Sequence, residues 1–95
     1  MGKRKSVLTD DLTVCYFTRS PNPHIHHVFG GANRAHAEED GFIVPLAPQL
    51  HNMSDEGVHF NRELDLYLKQ LCQRYWEDAI GTRKQFIERY GKSWL

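Results

Sequence analysis

The chain has 95 residues, of which 40% are hydrophobic, 12% aromatic and 25% charged. This length suits one small domain, and this composition is that of an ordinary globular protein, so a two-domain architecture and intrinsic disorder are excluded. The 12 basic and 12 acidic residues cancel to a formal charge of zero, which argues against a general polyanion binder. Since no apolar run reaches the ~18–20 residues of a membrane span, we expect no membrane association.

The number of cysteines and the first residues of the chain indicate in which cellular compartment the protein resides. Two cysteines, Cys15 and Cys72, are too few for a disulfide framework. The basic first residues lead into a polar stretch at 9–11 and not into the apolar stretch of a signal peptide. We therefore expect a cytoplasmic protein, with a basic N-terminal arm over residues 1–11 and a single domain over residues 12–95.

Three short extended segments are predicted in the first half of the chain. Residues that favour β-structure predict extended backbone over residues 12–17, 24–29 and 42–46. The first two are separated by a proline-rich turn at 19–23, and the last two by a polar loop with one helical turn near residues 34–39.

Helical periodicity governs the second half. A short helix is predicted near residues 49–53, and apolar residues at helical spacing predict a long helix over residues 61–80. The sequence Thr-Arg-Lys-Gln at 82–85 has the form of a capping box and predicts a last helix that stops at Gly91. Short strands followed by helices predict a small α+β domain.

Several aromatic residues are interpreted through this helical spacing. Tyr67, Tyr75 and Trp76 on the long helix are interpreted as core residues, and Cys72 on the same stripe as a buried thiol. The apolar Trp94 near the end of the chain predicts docking onto the domain or onto a partner, because chain ends usually fray.

Six histidines stand out, and three of them lie at positions 24, 26 and 27. Histidine is the commonest metal ligand and a frequent general base near neutral pH. A helix that packs back across a hairpin can bring His51 to this cluster, so that a divalent ion is held while one histidine activates water. The residues alone leave this interpretation of His26, His27 and His51 open beside a second, in which they are ordinary polar side chains.

Five short segments occur in a distinctive order. They are His-His-Val-Phe-Gly-Gly at 26–31, Val-Pro-Leu at 44–46, His-Asn at 51–52, Gly-Val-His-Phe-Asn at 57–61 and Gly-Lys-Ser-Trp-Leu at 91–95. Together they resemble the HNH, or ββα-metal, nuclease superfamily, and more narrowly the small HNH-like proteins of phages and prophages of Gram-positive bacteria. The resemblance covers nearly the whole chain.

The resemblance implies a ββα-metal hairpin-plus-helix core with C-terminal helices, and a metal-dependent endonuclease, a hydrolase of DNA phosphodiesters. Carried over by position, it makes His26 and His51 metal ligands and His27 the general base, with His59 a further ligand or a phosphate contact. The implied cofactor is one divalent ion, Mg²⁺, Mn²⁺, Ni²⁺ or Zn²⁺. Imidazole ligands suit Zn²⁺, Ni²⁺ or Mn²⁺ better than they suit Mg²⁺.

Formal neutrality confines any DNA-binding surface to selected basic residues. Lys3, Arg4 and Lys5 in the N-terminal arm are candidate phosphate contacts. Arg34 follows the Gly-Gly turn, where a phosphate contact would help the proposed site. We predict that these four residues provide the nucleic-acid contacts.

One position of the superfamily pattern is changed in the hairpin. Phe42 stands where an asparagine normally braces the loop that carries the base, and phenylalanine cannot make that hydrogen bond. Asn33 and Asn52 are the candidates to replace it.

The zinc knuckle of many relatives is also changed. Its four cysteine positions are represented here by Cys15, Thr18, Ala47 and Leu50. We expect no structural zinc, because one thiolate cannot hold it. Both departures keep an alternative function open: a catalytically weakened HNH-like binding module, such as a phage anti-defence protein that inhibits a CRISPR-type nuclease of the host.

Overall fold

The computed structural model describes residues 4–51 and 61–95 as a small α+β protein, which confirms the predicted fold class. The element bounds are β1 His24–His27, α1 Arg34–Asp40, β2 Ile43–Leu46, α2 Pro48–His51, α3 Arg62–Ala79 and α4 Arg83–Tyr90. Within these two ranges, no helix combines the length and the apolar character needed to cross a bilayer.

The two strands pair antiparallel, with His24 opposite Leu46 and His27 opposite Ile43. The chain between them forms a 3₁₀ turn and then α1, which is a full seven-residue helix where the sequence predicted one turn. Gly41 ends α1 in the left-handed conformation with φ 79°, a backbone state that favours glycine. The helix therefore returns the chain directly into β2.

Residues 12–17 are not the strand that their composition predicts. They form turns, with a single bridge between Val14 and Pro21. The N–H of Cys15 donates to Ser20 O at 2.8 Å, and the N–H of Tyr16 donates to Pro45 O at 2.8 Å. These backbone donors are thus satisfied by a local turn and by the outer edge of β2, so no partner strand is needed.

Helix α3 follows its predicted periodicity, with Leu68, Cys72 and Trp76 buried. The side chain of Asn61 caps the helix by accepting the N–H of Leu64 at 3.1 Å, as expected for an asparagine at this position. The interpretation of two tyrosines as core residues is wrong: Tyr67 is 49% exposed and Tyr75 is 41% exposed. Only one face of α3 packs on the domain, and these two rings lie outside it.

Helix α4 confirms the predicted capping box. The side chain of Thr82 accepts the N–H of Gln85, the side chain of Gln85 accepts the N–H of Thr82, and the helix ends at Gly91. Its buried face joins the aromatic centre of the core, whose members are Phe29, Phe42, Trp76, Phe86, Tyr90 and the partly buried Trp94.

Both ends of the described chain are fastened to the domain. Trp94 packs against Phe29 with ring centroids 5.0 Å apart, and the buried Gln73 accepts the Trp94 N–H at 2.8 Å, which confirms docking onto the domain. At the other end, the N–H of Val7 donates to Gly41 O at 2.8 Å. The predicted N-terminal arm therefore packs on the domain well before residue 12.

Candidate functional site

Strand β1 sends neighbouring histidines to opposite sides. Successive side chains alternate along a strand, and here His24 and His26 meet the ring of His51 on α2. His27, the next residue, contacts Glu38 on α1. The strand continues through His27, so the two adjacent histidines do not share one side.

The side of β1 that faces α2 carries a histidine cluster of His24, His26 and His51. The Nδ1 atoms of His24 and His51 are 3.2 Å apart. The ring centroids of His24 and His51 are 5.3 Å apart, and those of His26 and His51 are 5.2 Å apart. His26 is buried, whereas His24 lies at the exposed start of the strand.

Helix α2 is what brings His51 over the strand. The carbonyl of Ala47 accepts the N–H groups of Leu50 at 2.8 Å and of His51 at 3.0 Å, which closes a single helical turn. Leu50 packs against the hydrophobic core and anchors that turn. His51 is therefore held at the last position of α2, beside the start of β1.

The spacing of two cluster nitrogens fits the ligands of one metal ion. With metal–nitrogen bonds of about 2.0–2.1 Å and tetrahedral angles, two ligand nitrogens lie about 3.4 Å apart, and His24 and His51 are separated by 3.2 Å. Over residues 4–51 and 61–95, no group of three or more His, Cys, Asp or Glu side chains is placed so that it could hold a metal ion as it stands. The structure brings two cluster nitrogens to ligand spacing and places the His26 ring beside them.

On the other side of β1, three residues form what we term the Glu38 triad: His27, Glu38 and Arg4. The Nε2 of His27 is 2.8 Å from Glu38 Oε1. The guanidinium of Arg4 donates to both oxygens of Glu38, at 3.0 Å and 2.7 Å. The carboxylate thus joins the N-terminal segment to β1.

The protonation of the Glu38 triad follows from these contacts. Hydrogen bonds from Arg4, and then from His27, lower the pKa of Glu38 to about 2. Glu38 is therefore ionised at neutral pH and only accepts hydrogen bonds, so Nε2 of His27 is the nitrogen that carries the proton. This tautomer leaves Nδ1 of His27 as the nitrogen able to accept a proton.

A pocket of about 470 Å³ opens beside His27, lined by both Arg4 and Arg34. The Arg34 side chain is exposed at the start of α1. Lys5 is also exposed, but it lines a different pocket together with Asp10 and Glu39. Of the predicted phosphate contacts, the fold brings Arg4 and Arg34 to His27; Lys3 lies outside the described residues.

The remaining predicted site residues are placed as follows. Phe42 is fully buried in the aromatic core, and Asn33 uses its side chain to donate to Tyr90 O at 2.9 Å. Neither of them orients His27, and Glu38 contacts it instead. His59 and Asn52 lie outside the described residues.

Two residues of the site were given no role from the sequence: His24, which was noted only as a member of the histidine cluster, and Glu38, which was not noted at all. His24 is two positions before His26, and this spacing puts both on one side of a strand. Glu38 follows His27 by eleven positions, on a helix that the sequence indicated only as a single turn. A full helix predicted between the Gly-Gly turn and Gly41 would have placed Glu38 on an element that packs beside β1.

Among the four knuckle positions, Cys15 contacts Thr18 and the backbone of Ala47. Cys15 is fully buried and its sulfur accepts the N–H of Thr18 at 3.4 Å. Burial raises the pKa of the Cys15 thiol, but hydrogen bonds from Thr18, Ala47 and Phe17 outweigh it, so the pKa is lowered overall. The absence of structural zinc stays a prediction.

Neither a protein-family model, nor a curated protein, nor a solved structure matches the chain. The histidine cluster and the Glu38 triad are therefore the features on which a functional proposal depends. They lie on opposite sides of one short strand.

Proposed function

We propose that this protein is a metal-dependent endonuclease of the HNH type, encoded by a phage or prophage and acting on DNA phosphodiesters. The observation that carries the proposal is the histidine cluster, in which α2 brings His51 to within 3.2 Å of His24 and beside His26. Around the cluster, β1 and β2 pair antiparallel and α2 follows β2, with α1 inserted between the strands; this order supports the ββα arrangement that the sequence resemblance implies.

His26 and His51 hold the divalent ion in this proposal. Their neutral imidazoles leave positions open for a phosphate oxygen and water, as a catalytic site requires. When bound, the ion supplies Lewis-acid stabilisation of the phosphate and of the leaving oxygen. His51 is fixed by α2 and His26 by burial, so the ligands come from two elements that pack on one core.

We assign the general base to His27 through Nδ1, the nitrogen left without a proton by its contact with Glu38. Because His27 is the last residue of β1, this role requires the phosphate to span the end of the strand between the ion and the His27 ring. Glu38 positions the ring and stabilises the positive charge that the imidazole gains when it takes a proton from the attacking water. Arg4 keeps Glu38 ionised through two hydrogen bonds. This assigns to a carboxylate the bracing function that an asparagine has in the superfamily pattern.

DNA is bound through a few phosphate contacts. Arg34 lines the pocket beside His27 and is exposed, so it is the side chain best placed to hold a phosphate there. Lys5 is exposed on the N-terminal arm and is a second candidate phosphate contact, while Lys3 lies outside the described residues. With a formal charge of zero, the protein should bind DNA weakly and without strong sequence preference.

Plasmid nicking tests the proposal directly. Wild-type protein is incubated with supercoiled DNA and Mg²⁺, Mn²⁺, Co²⁺, Ni²⁺ or Zn²⁺, with chelator as one control and His36→Ala, outside the cluster, as another. Cleavage that requires metal and is lost in His27→Ala supports the nuclease. Full metal binding without cleavage by any ion would contradict it and favour the alternative, a binding module directed at a host nuclease.

A further inference from the structure

We infer that His24 is a third ligand of the ion, which makes the site all-imidazole and selective for Zn²⁺, Co²⁺ or Ni²⁺ over Mg²⁺. The inference deepens the proposed function, because it names the class of metal that the nuclease uses. Neither the motif segments nor their spacing assigns this role to His24.

The placement of His24 is what supports it. His24 and His26 are two residues apart on β1, so their side chains lie on the same side of the strand, and both meet the ring of His51. The closest approach joins Nδ1 of His24 to Nδ1 of His51, at 3.2 Å. This is the spacing of two nitrogens bound to one ion.

A simple hydrogen bond between two imidazoles is the competing explanation of that distance. Two ring nitrogens in contact need a proton or a cation between them, since two lone pairs repel. His24 lies at the exposed start of β1, where a neutral hydrogen bond contributes little, because water competes for both partners. An ion shared by the three histidines accounts for the short distance between His24 and His51 and for the His26 ring beside them.

The donor set determines the metal. Three neutral nitrogen donors suit Zn²⁺, Co²⁺, Ni²⁺ and Cu²⁺, whereas Mg²⁺ prefers oxygen ligands and keeps much of its water. A three-histidine site also leaves an open position for substrate or water, as in other catalytic zinc sites. Millimolar Mg²⁺ should therefore fail to displace a transition metal from the cluster.

Cobalt binding tests the inference without relying on activity. The full chain is titrated with Co²⁺, and the visible absorption bands of the bound ion report affinity and coordination. His24→Ala removes the ligand; His24→Asn keeps an N–H that can donate to His51 but loses the imidazole. His36→Ala is the matched control, and circular dichroism verifies the fold of each variant.

We expect both His24 variants to weaken Co²⁺ binding by at least the roughly 10–100-fold that loss of a ligand's supporting contact costs, and to change the absorption bands. His36→Ala should bind Co²⁺ as wild type does. Unchanged affinity and bands in His24→Ala would overturn the inference while leaving the nuclease proposal standing. Binding that depends on His24 without DNA cleavage would uphold the inference and contradict the nuclease. No Co²⁺ binding by wild type would overturn both.

Discussion

The two sides of β1 carry histidines in different settings. On one side, the histidine cluster brings three imidazole rings together, with the ring centroids of His26 and His51 5.2 Å apart. On the other side, His27 contacts a carboxylate whose pKa is lowered to about 2, first by hydrogen bonds from Arg4. In the proposed function, neighbouring residues of this four-residue strand take different tasks, holding a cation and moving a proton, because two helices supply them with different partners.

The largest effect should come from removing the proposed base. We expect His27→Ala to lose about 10²–10⁴-fold in cleavage rate, the usual contribution of a general base, with Co²⁺ affinity unchanged because the histidine cluster lies on the other side of β1. The nicking rate and a Co²⁺ titration on the same preparation measure both quantities. A variant that cleaves as fast as wild type would remove His27 from the mechanism.

Removing a ligand should produce the converse pattern. His51→Ala should weaken metal affinity by at least roughly 10–100-fold, and excess metal should restore part of the lost cleavage. Isothermal titration calorimetry with Zn²⁺ gives the affinity, and nicking rates against metal concentration give the recovery. If His51→Ala instead keeps wild-type affinity and loses only rate, the two sides of β1 do not divide the work as proposed.

The Glu38 triad should make stability depend on acid. The pKa of Glu38 is lowered to about 2 in the folded protein, so its contribution is fully present above the ordinary carboxyl pKa and is lost as the pH falls from about 4.5 towards 2. Because the pair with Arg4 is partly exposed, solvent screening keeps the effect at about 0.2–1 kcal/mol, the range of surface ion pairs.

Chemical denaturation of wild type and Glu38→Gln between pH 2 and pH 6 measures this contribution. The free energies of unfolding should differ at pH 6 and converge near pH 2. Glu88→Gln, which removes an exposed carboxylate on α4, is the matched control. A constant difference across the whole range would show that Glu38 stabilises the fold by packing and not by its charge.

The smallest effect concerns the phosphate contact. Arg34→Ala should weaken DNA binding equally for different sequences and reduce the slope of log affinity against log salt by about one, because one phosphate contact is lost. Fluorescence anisotropy on two unrelated duplexes at several salt concentrations measures this. Lys92→Ala, far along the chain at the docked C-terminus, should leave the slope unchanged.

Local sequence signals predicted the helices well. The capping box at Thr82 and the stop at Gly91 are both present, and α3 lies within one residue of its expected bounds. These features depend on side chains within a few positions of the backbone groups that they satisfy. The strand expected at residues 12–17 failed because a strand needs a partner, and the N–H groups of this segment find partners in a turn and at the edge of β2.

The candidate site was only half predictable for the same reason. The resemblance pointed to His26, His27 and His51 by position alone. The contacts of His24 with His51 and of Glu38 with His27 depend on where α2 and α1 pack against β1. Tertiary packing of this kind cannot be predicted from a local sequence pattern. The exposure of Tyr67 and Tyr75 likewise depends on how much of α3 the rest of the domain covers.

Nuclear magnetic resonance of the histidine ring nitrogens is the most direct test of the division across β1. In metal-free wild-type protein, His27 should be the tautomer protonated at Nε2. On adding Zn²⁺, the ring nitrogens of His24, His26 and His51 should shift together, while those of His27 keep their metal-free positions. A shift of His27 with the others, or no shift of the histidine cluster, would contradict the proposed separation of metal ligands from base.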